Sequence, residues 1–225
     1  MKSIVALLCF ACGLAAQQRA PNAEPALRME ITLERQEGGA WKAVDPGLVF
    51  DAGDRVRFRF RANSGGYLYV MDYGTSGKYS LLFPREETGR ENRIEPGREY
   101  RIPATEAWFR IDGPPGHDVV YWLVSPLLLT SGDSAVLPLP TAKQPPKTLL
   151  PRCDDSIFRA RGLCIDSSAG LRQIPETEEV PENLKGIARA RSRELIIMRR
   201  DDSSVVSAPV ALTGPVLYEF RLAHK

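Results

Sequence analysis

The sequence predicts an all-β protein, an immunoglobulin-like antiparallel sandwich with a long Pro-rich insertion and at most a short helix. Three observations lead there. Apolar and polar residues alternate with period two, as in Met29, Ile31 and Leu33 against Glu30, Thr32 and Glu34. Clusters of turn formers separate such stretches at about the 8 to 12 residue spacing of a sandwich. The stretch Gly66 to Pro84, GYLYVMDYGTSGKYSLLFP, reads as a hairpin, and apolar groups on both faces of Tyr67 to Met71 mark a central strand.

Taken in order, Arg28 to Glu34 is a strand with one buried and one wet face, and Gly38-Gly39 turns the chain into a short partner, Trp41 to Val44. Pro46-Gly47 turns again, and a strand follows from Gly53-Asp54 with Val56, Phe58 and Phe60 on one face and Arg55, Arg57, Arg59 and Arg61 on the other. Alternate side chains on one face lie about 7 Å apart, so the arginines form a stripe. The hairpin follows, with Asp72 to Gly77 as its turn. After a polar excursion from Arg85 to Gly97, three strands are expected at Glu99 to Ile102, Trp108 to Asp112 and Asp118 to Val124.

From Ser125 prolines become frequent, and the chain reads as an insertion, with a short helix expected in Pro181 to Ser192 from Leu184, Ile187 and Arg191. Leu195 to Met198 resumes strand character, Val205-Val206 returns, and Val216 to Leu222 alternates as a closing strand that pairs with the first part of the fold. The predicted organisation is a signal peptide at 1–16, a flexible lead-in at 17–27, one sandwich domain from 28–126 and 192–225, and the insertion at 127–191.

The signal peptide follows from Lys2, the apolar run Ile4 to Leu14, too short to span a bilayer, and small residues at Ala15 and Ala16, after either of which cleavage fits. A lipoprotein signal ending at Cys12 would place Cys9 and Phe10 where small aliphatic residues belong, and ranks below it. Export predicts a periplasmic or extracellular protein, with no later stretch apolar and long enough to span a membrane. Removal of 1–16 leaves 29 Lys and Arg against 28 Asp and Glu, so charge does not draw this protein to nucleic acid. The remaining cysteines, Cys153 and Cys164, are expected to form a structural disulfide, a crosslink of about 3 kcal/mol on loop-entropy grounds.

The search for chemistry yields few candidates. Two histidines, His117 and His224, and two cysteines distant from both do not make a zinc site, and no cofactor is expected. Gly74 to Lys78 lacks the glycines of a phosphate loop or a nucleophile elbow and reads as a turn. The arginine stripe admits two readings: a site for an anionic glycan or lipid head group, or a solvated face paired with Glu30 and Glu34, which ranks first. Tyr67, Tyr69, Tyr73 and Tyr79 could make a platform for sugar or peptide, although core packing is the simpler account.

The pieces GDRVRFRF (Gly53 to Phe60), GYLYVMD (Gly66 to Asp72), GKYSLLFP (Gly77 to Pro84) and PPGHDVVYWLVS (Pro114 to Ser125) resemble, over about Phe50 to Pro126, a bacterial family of extracytoplasmic domains of unknown function. Such domains occur alone behind signal peptides or joined to kinase or caspase-like peptidase modules. The resemblance implies an accessory sensing or binding role and supplies no catalytic residues. The leading expectation is therefore a secreted, non-enzymatic interaction module of a bacterial envelope that binds protein or peptide. An anionic-glycan module using the arginine stripe comes second and an unrecognised enzyme third.

Overall fold

The computed structural model describes residues 25–129, 149–185, 195–200, 202–209 and 211–225. The expected signal peptide, its cleavage site and most of the lead-in lie outside the described residues, as do 130–148 of the insertion and 186–194. Among the described residues, fourteen strands form two seven-stranded sheets facing each other, the all-β sandwich that the alternating pattern predicts.

Sheet A is built on β1 (Leu27–Glu37) and β4 (Arg55–Ala62), antiparallel from Met29 opposite Ala62 to Arg35 opposite Val56. The other edge of β1 is shared, its first half pairing with β13 (Ser204–Ala208) and its last residues with β2 (Ala40–Ala43). Beyond β13 lies β12 (Ile196–Arg199), and beyond β4 lie β8 (Glu99–Ile102) and β9 (Phe109–Arg110).

Sheet B centres on β10 (Gly116–Ser125), flanked by β5 (Gly66–Tyr73) and by the closing strand β14 (Val216–His224). The hairpin partner β6 (Tyr79–Phe83) and the short β7 (Arg93–Ile94) pair with β5. On the far side β14 receives β11 (Gly170–Arg172), a strand contributed by the insertion, and β3 (Val49–Phe50), which runs parallel to it.

Strand alternation puts one side chain in two between the sheets. Met29, Ile31, Leu33, Phe58 and Phe60 from sheet A meet Val70, Val120, Trp122 and Phe220 from sheet B. Trp122, fully buried, is the hub: Phe60 and Tyr218 stack on it at 5.7 and 6.5 Å, and Phe58 meets it edge-on at 5.2 Å. Burying a side chain of this size stabilises the fold by about 3 kcal/mol.

The described part of the insertion makes two contributions. Cys153 and Cys164 are bridged as expected, and they bracket α1 (Ser156–Ala160), whose first turn is capped by the Asp155 carboxylate accepting from Ile157 N–H and Phe158 N–H. This lobe docks on the strand entering β3, with Asp166 N–H donating to Gly47 O at 2.8 Å and Val49 N–H to Cys164 O at 2.9 Å, and Ile165 enters the main core. Gly170, at φ +88°, starts β11 where a Cβ would meet Pro46 at 3.1 Å. The second contribution is a cover: Ile174 and Leu184 lie on the outer face of sheet B. Of the helix expected from Pro181 to Ser192, the described residues show a single 3-10 turn at Glu182–Leu184.

Candidate functional site

The outward side chains of β5, β10 and β14 are Tyr69, Met71, Val119, Tyr121, Leu123 and Leu217, an apolar surface that water would not tolerate bare. Ile174, Leu184, Val180 and Leu129 cover it. All four tyrosines of the hairpin belong to this layer. Tyr69 is fully buried, and its hydroxyl accepts from Leu129 N–H at 2.9 Å. Tyr79 donates to Asn183 Oδ1 at 3.2 Å, Tyr73 packs edge-on against Tyr79 at 5.8 Å, and Tyr67 is half-buried. Beside them Glu219, also buried, accepts from Arg221 Nε at 2.9 Å and pairs with Arg172 Nε at 2.6 Å, while both guanidiniums also reach Glu178. Burial pushes the Glu219 carboxyl up, and the two arginines only partly offset it.

The outer face of sheet A is different in kind. Register places Glu34 of β1 opposite Arg57 of β4. Arg57 Nε donates to Glu34 Oε2 at 2.6 Å, and Arg59 Nε lies 2.9 Å from Glu34 Oε1, off the line of a directed hydrogen bond. Arg59 also reaches Glu99 on β8 at 3.3 Å. Two tryptophans complete the surface. The Arg57 guanidinium lies 4.4 Å from the centre of the Trp41 ring, and that of Arg55, which donates to Gln36 Oε1, lies 4.4 Å from Trp108. Arg61 is exposed and has no hydrogen bond or ion pair among the described residues. With Arg59, Glu30 and Glu99 it borders a hollow of about 200 Å3.

The stripe thus stands on one face as the alternation predicts, and three of its four members are held in place by a carboxylate, an amide or an aromatic ring. Sequence reading missed Trp41 and Trp108. Each is 16 or more residues from the arginine it meets, and only the pairing of β2 and β9 with their neighbours brings them together.

A Ser–His–Asp grouping also emerges where sequence showed none. His117 Nε2 lies 3.1 Å from Asp166 Oδ2 and 3.5 Å from Ser168 Oγ, while Nδ1 faces Leu149 O at 2.9 Å. The two ring nitrogens thus face Asp166 and Ser168 on one side and the Leu149 carbonyl on the other. Ser168 donates to Asp166 Oδ1 at 2.6 Å, the shorter of its two contacts in this grouping. The grouping fastens the disulfide lobe to β10. Among the described residues no three His, Cys, Asp or Glu side chains are placed to hold a metal ion, and no helix is long and apolar enough to cross a membrane.

The architecture is thus an all-β sandwich with one outer face covered by its own insertion and the other bearing arginines and tryptophans. Residues 49–127 match the family described as Domain of unknown function (DUF4384). That span runs from β3 past the end of β10 and coincides with the Phe50 to Pro126 stretch that carries the resemblance. No curated protein matches the chain, and no solved structure matches it.

Proposed function

We propose that this is an exported, non-enzymatic interaction module of a bacterial envelope that binds a protein or peptide partner through the outer face of sheet A. One observation carries the reading: Arg57 and Arg55 each lie against a tryptophan, Trp41 and Trp108, with Arg57 fixed from beneath by Glu34. Tryptophan and arginine dominate the energetics of protein interfaces, and guanidiniums already held in place lose less freedom on binding. Trp108 is 42% exposed, which leaves part of its ring open to a partner. The tyrosines are engaged under the insertion, which removes them as the first choice. Export rests on the 1–16 segment, and an accessory role agrees with the resemblance to extracytoplasmic domains.

The test immobilises the protein from Gln17 onward beside its Arg55→Ala/Trp108→Ala variant and exposes both to envelope extract at high salt. A protein held by the parent and released by the variant supports this reading, whereas equal retention by both removes the face from consideration. An anionic-glycan module is the second reading, resting on Arg61, exposed and without a partner among the described residues, beside a hollow that Glu30, Glu99 and Asp202 also line. It requires heparin retention that falls steeply with salt and is lost in Arg61→Glu.

A further inference from the structure

A cleft of about 590 Å3 opens where the disulfide lobe meets the turn before β3 and the end of β12. Its size is that of a small-ligand site. Three carboxylates, Asp45, Asp154 and Asp155, and two guanidiniums, Arg199 and Arg200, line it beside the Phe158 ring and Ile165.

The three carboxylates and Arg199 are held in fixed positions. Gly47 N–H donates to Asp45 Oδ1 at 2.7 Å, Ser167 N–H to Asp154 Oδ1 at 2.9 Å, and the first turn of α1 to Asp155 Oδ1. The hydrogen bonds from Ser167, hydroxyl and backbone, hold the Asp154 carboxyl below its usual range. Arg199 pairs with Asp45 and lies against Gly47, where any Cβ would strike both that guanidinium and the Asp166 carbonyl. Valences remain open after this internal pairing: Asp155 Oδ2 and the Arg200 guanidinium have no hydrogen bond among the described residues. The lining therefore offers a fixed acidic wall, a spare guanidinium and an apolar ring, with one net negative charge.

We infer that this cleft binds a short zwitterionic peptide, its ammonium on Asp154 and Asp155, its carboxylate on Arg200 and a side chain against Phe158. A dianion is disfavoured by the three carboxylates, and a purely apolar ligand would leave Arg200 unanswered. The lining of the cleft includes neither tryptophan nor any arginine of the stripe, so the site stands or falls independently of the reading proposed above.

The experiment titrates the disulfide-bonded full chain with the dipeptide alanyl-leucine, its C-terminal amide and its N-acetyl form by calorimetry. The free dipeptide saturates, and either blocked form binds about tenfold more weakly, the order expected for losing one charge-assisted contact. Arg200→Gln weakens the free dipeptide but not the amide, and Asp155→Asn, which keeps the helix cap, weakens the free dipeptide but not the N-acetyl form. Unchanged thermal melting of both variants excludes misfolding as the cause. Equal binding of all three peptides, no saturable binding, or losses in the variants that ignore the blocking groups would each overturn the assignment.

Discussion

Glu34 and Arg57 face one another across the central pair of sheet A, with Arg57 Nε donating to Glu34 Oε2 at 2.6 Å and Glu34 only 6% exposed. A carboxylate this buried, serving Arg57 and Arg59 together, is compensated where it stands. Removing it leaves Arg57 with the Trp41 ring and Arg59 with Glu99 as their remaining partners. Breaking a fully buried pair costs about 3 to 5 kcal/mol, and the partial exposure of Arg59 reduces that, so Glu34→Ala is expected to lose about 2 kcal/mol in urea unfolding. Arg61→Ala, with no partner among the described residues, is expected to change stability by less than about 0.5 kcal/mol.

Asp166 gives the disulfide lobe an acid-sensitive attachment. Burial opposes its ionisation, yet hydrogen bonds from the Ser168 hydroxyl, from Arg152 N–H and Ser168 N–H, and the charge on His117 outweigh it and hold the carboxyl below its usual range. A lowered folded pKa favours folding once pH exceeds the unfolded value, and the gain is lost as pH falls through the folded one. Protease cleavage within the lobe should therefore rise as pH drops below about 4. Asp166→Asn should be more cleavable at neutral pH and should show less of that acid dependence.

Asp72 works in the opposite sense. Desolvation, then the nearby charges of Asp118 and Asp112, push its carboxyl well above the usual range. Asp118 is already engaged, accepting from Thr75 N–H at 2.7 Å and lying 3.3 Å from His224 Nε2. A raised folded pKa favours folding fully below the unfolded value of about 4 and loses that contribution as pH rises through the folded one. Asp72→Asn supplies a permanently neutral side chain of the same shape. Urea unfolding at pH 8 should show the variant more stable than the parent by about 1 kcal/mol or more, with the difference shrinking toward pH 4.

The long strands were legible because a half-buried strand writes its two faces into alternate residues: Arg55 to Ala62 and Val216 to His224 lie where the pattern puts them. By contrast, β3, β7 and β11 are two or three residues long, and their strand character resides in their partners. Helix α1 has five residues, too few for a helical period, and only the cap at Asp155 marks it. At the surface, composition revealed the arginine stripe but not what it touches, because Arg57 meets Glu34 and Trp41 through pairings 23 and 16 residues apart. Apolar residues on both faces of β5 signalled a covered sheet, but not that the cover is Ile174 and Leu184.

Buried phenols offer a spectroscopic check on that cover. Burial pushes the Tyr121 and Tyr79 hydroxyls far above their usual range, and Tyr218 likewise inside the sandwich. Ultraviolet titration of the folded protein should therefore ionise fewer than its seven tyrosines before alkaline unfolding. Since folding raises these pKa values, the stability they contribute is complete below about pH 10 and declines above it. Leu184→Asp, which places a charge under the cover, should bring Tyr79 into the normal titration range while leaving Tyr218 silent.

The disulfide should matter locally more than globally. Cys153 and Cys164 are 11 residues apart, so their bridge restrains a short loop, worth about 2 to 3 kcal/mol in loop-entropy models. The loop holds α1, which has no buried residues, and its attachment to the sandwich includes the hydrogen bonds at Gly47 and Val49, the His117–Asp166 pair, Ile165 in the core, Phe158 packed against that core and Cys164 against Val49 and Ala223. With the bridge replaced by Cys153→Ser and Cys164→Ser, amides of α1 should lose hydrogen-exchange protection, while the near-ultraviolet signal of Trp122 and protection of β10 persist. Alanyl-leucine binding should fall with α1, because Asp155 caps it and Phe158 lies within it, whereas the binding proposed for the Trp41 and Trp108 surface should persist.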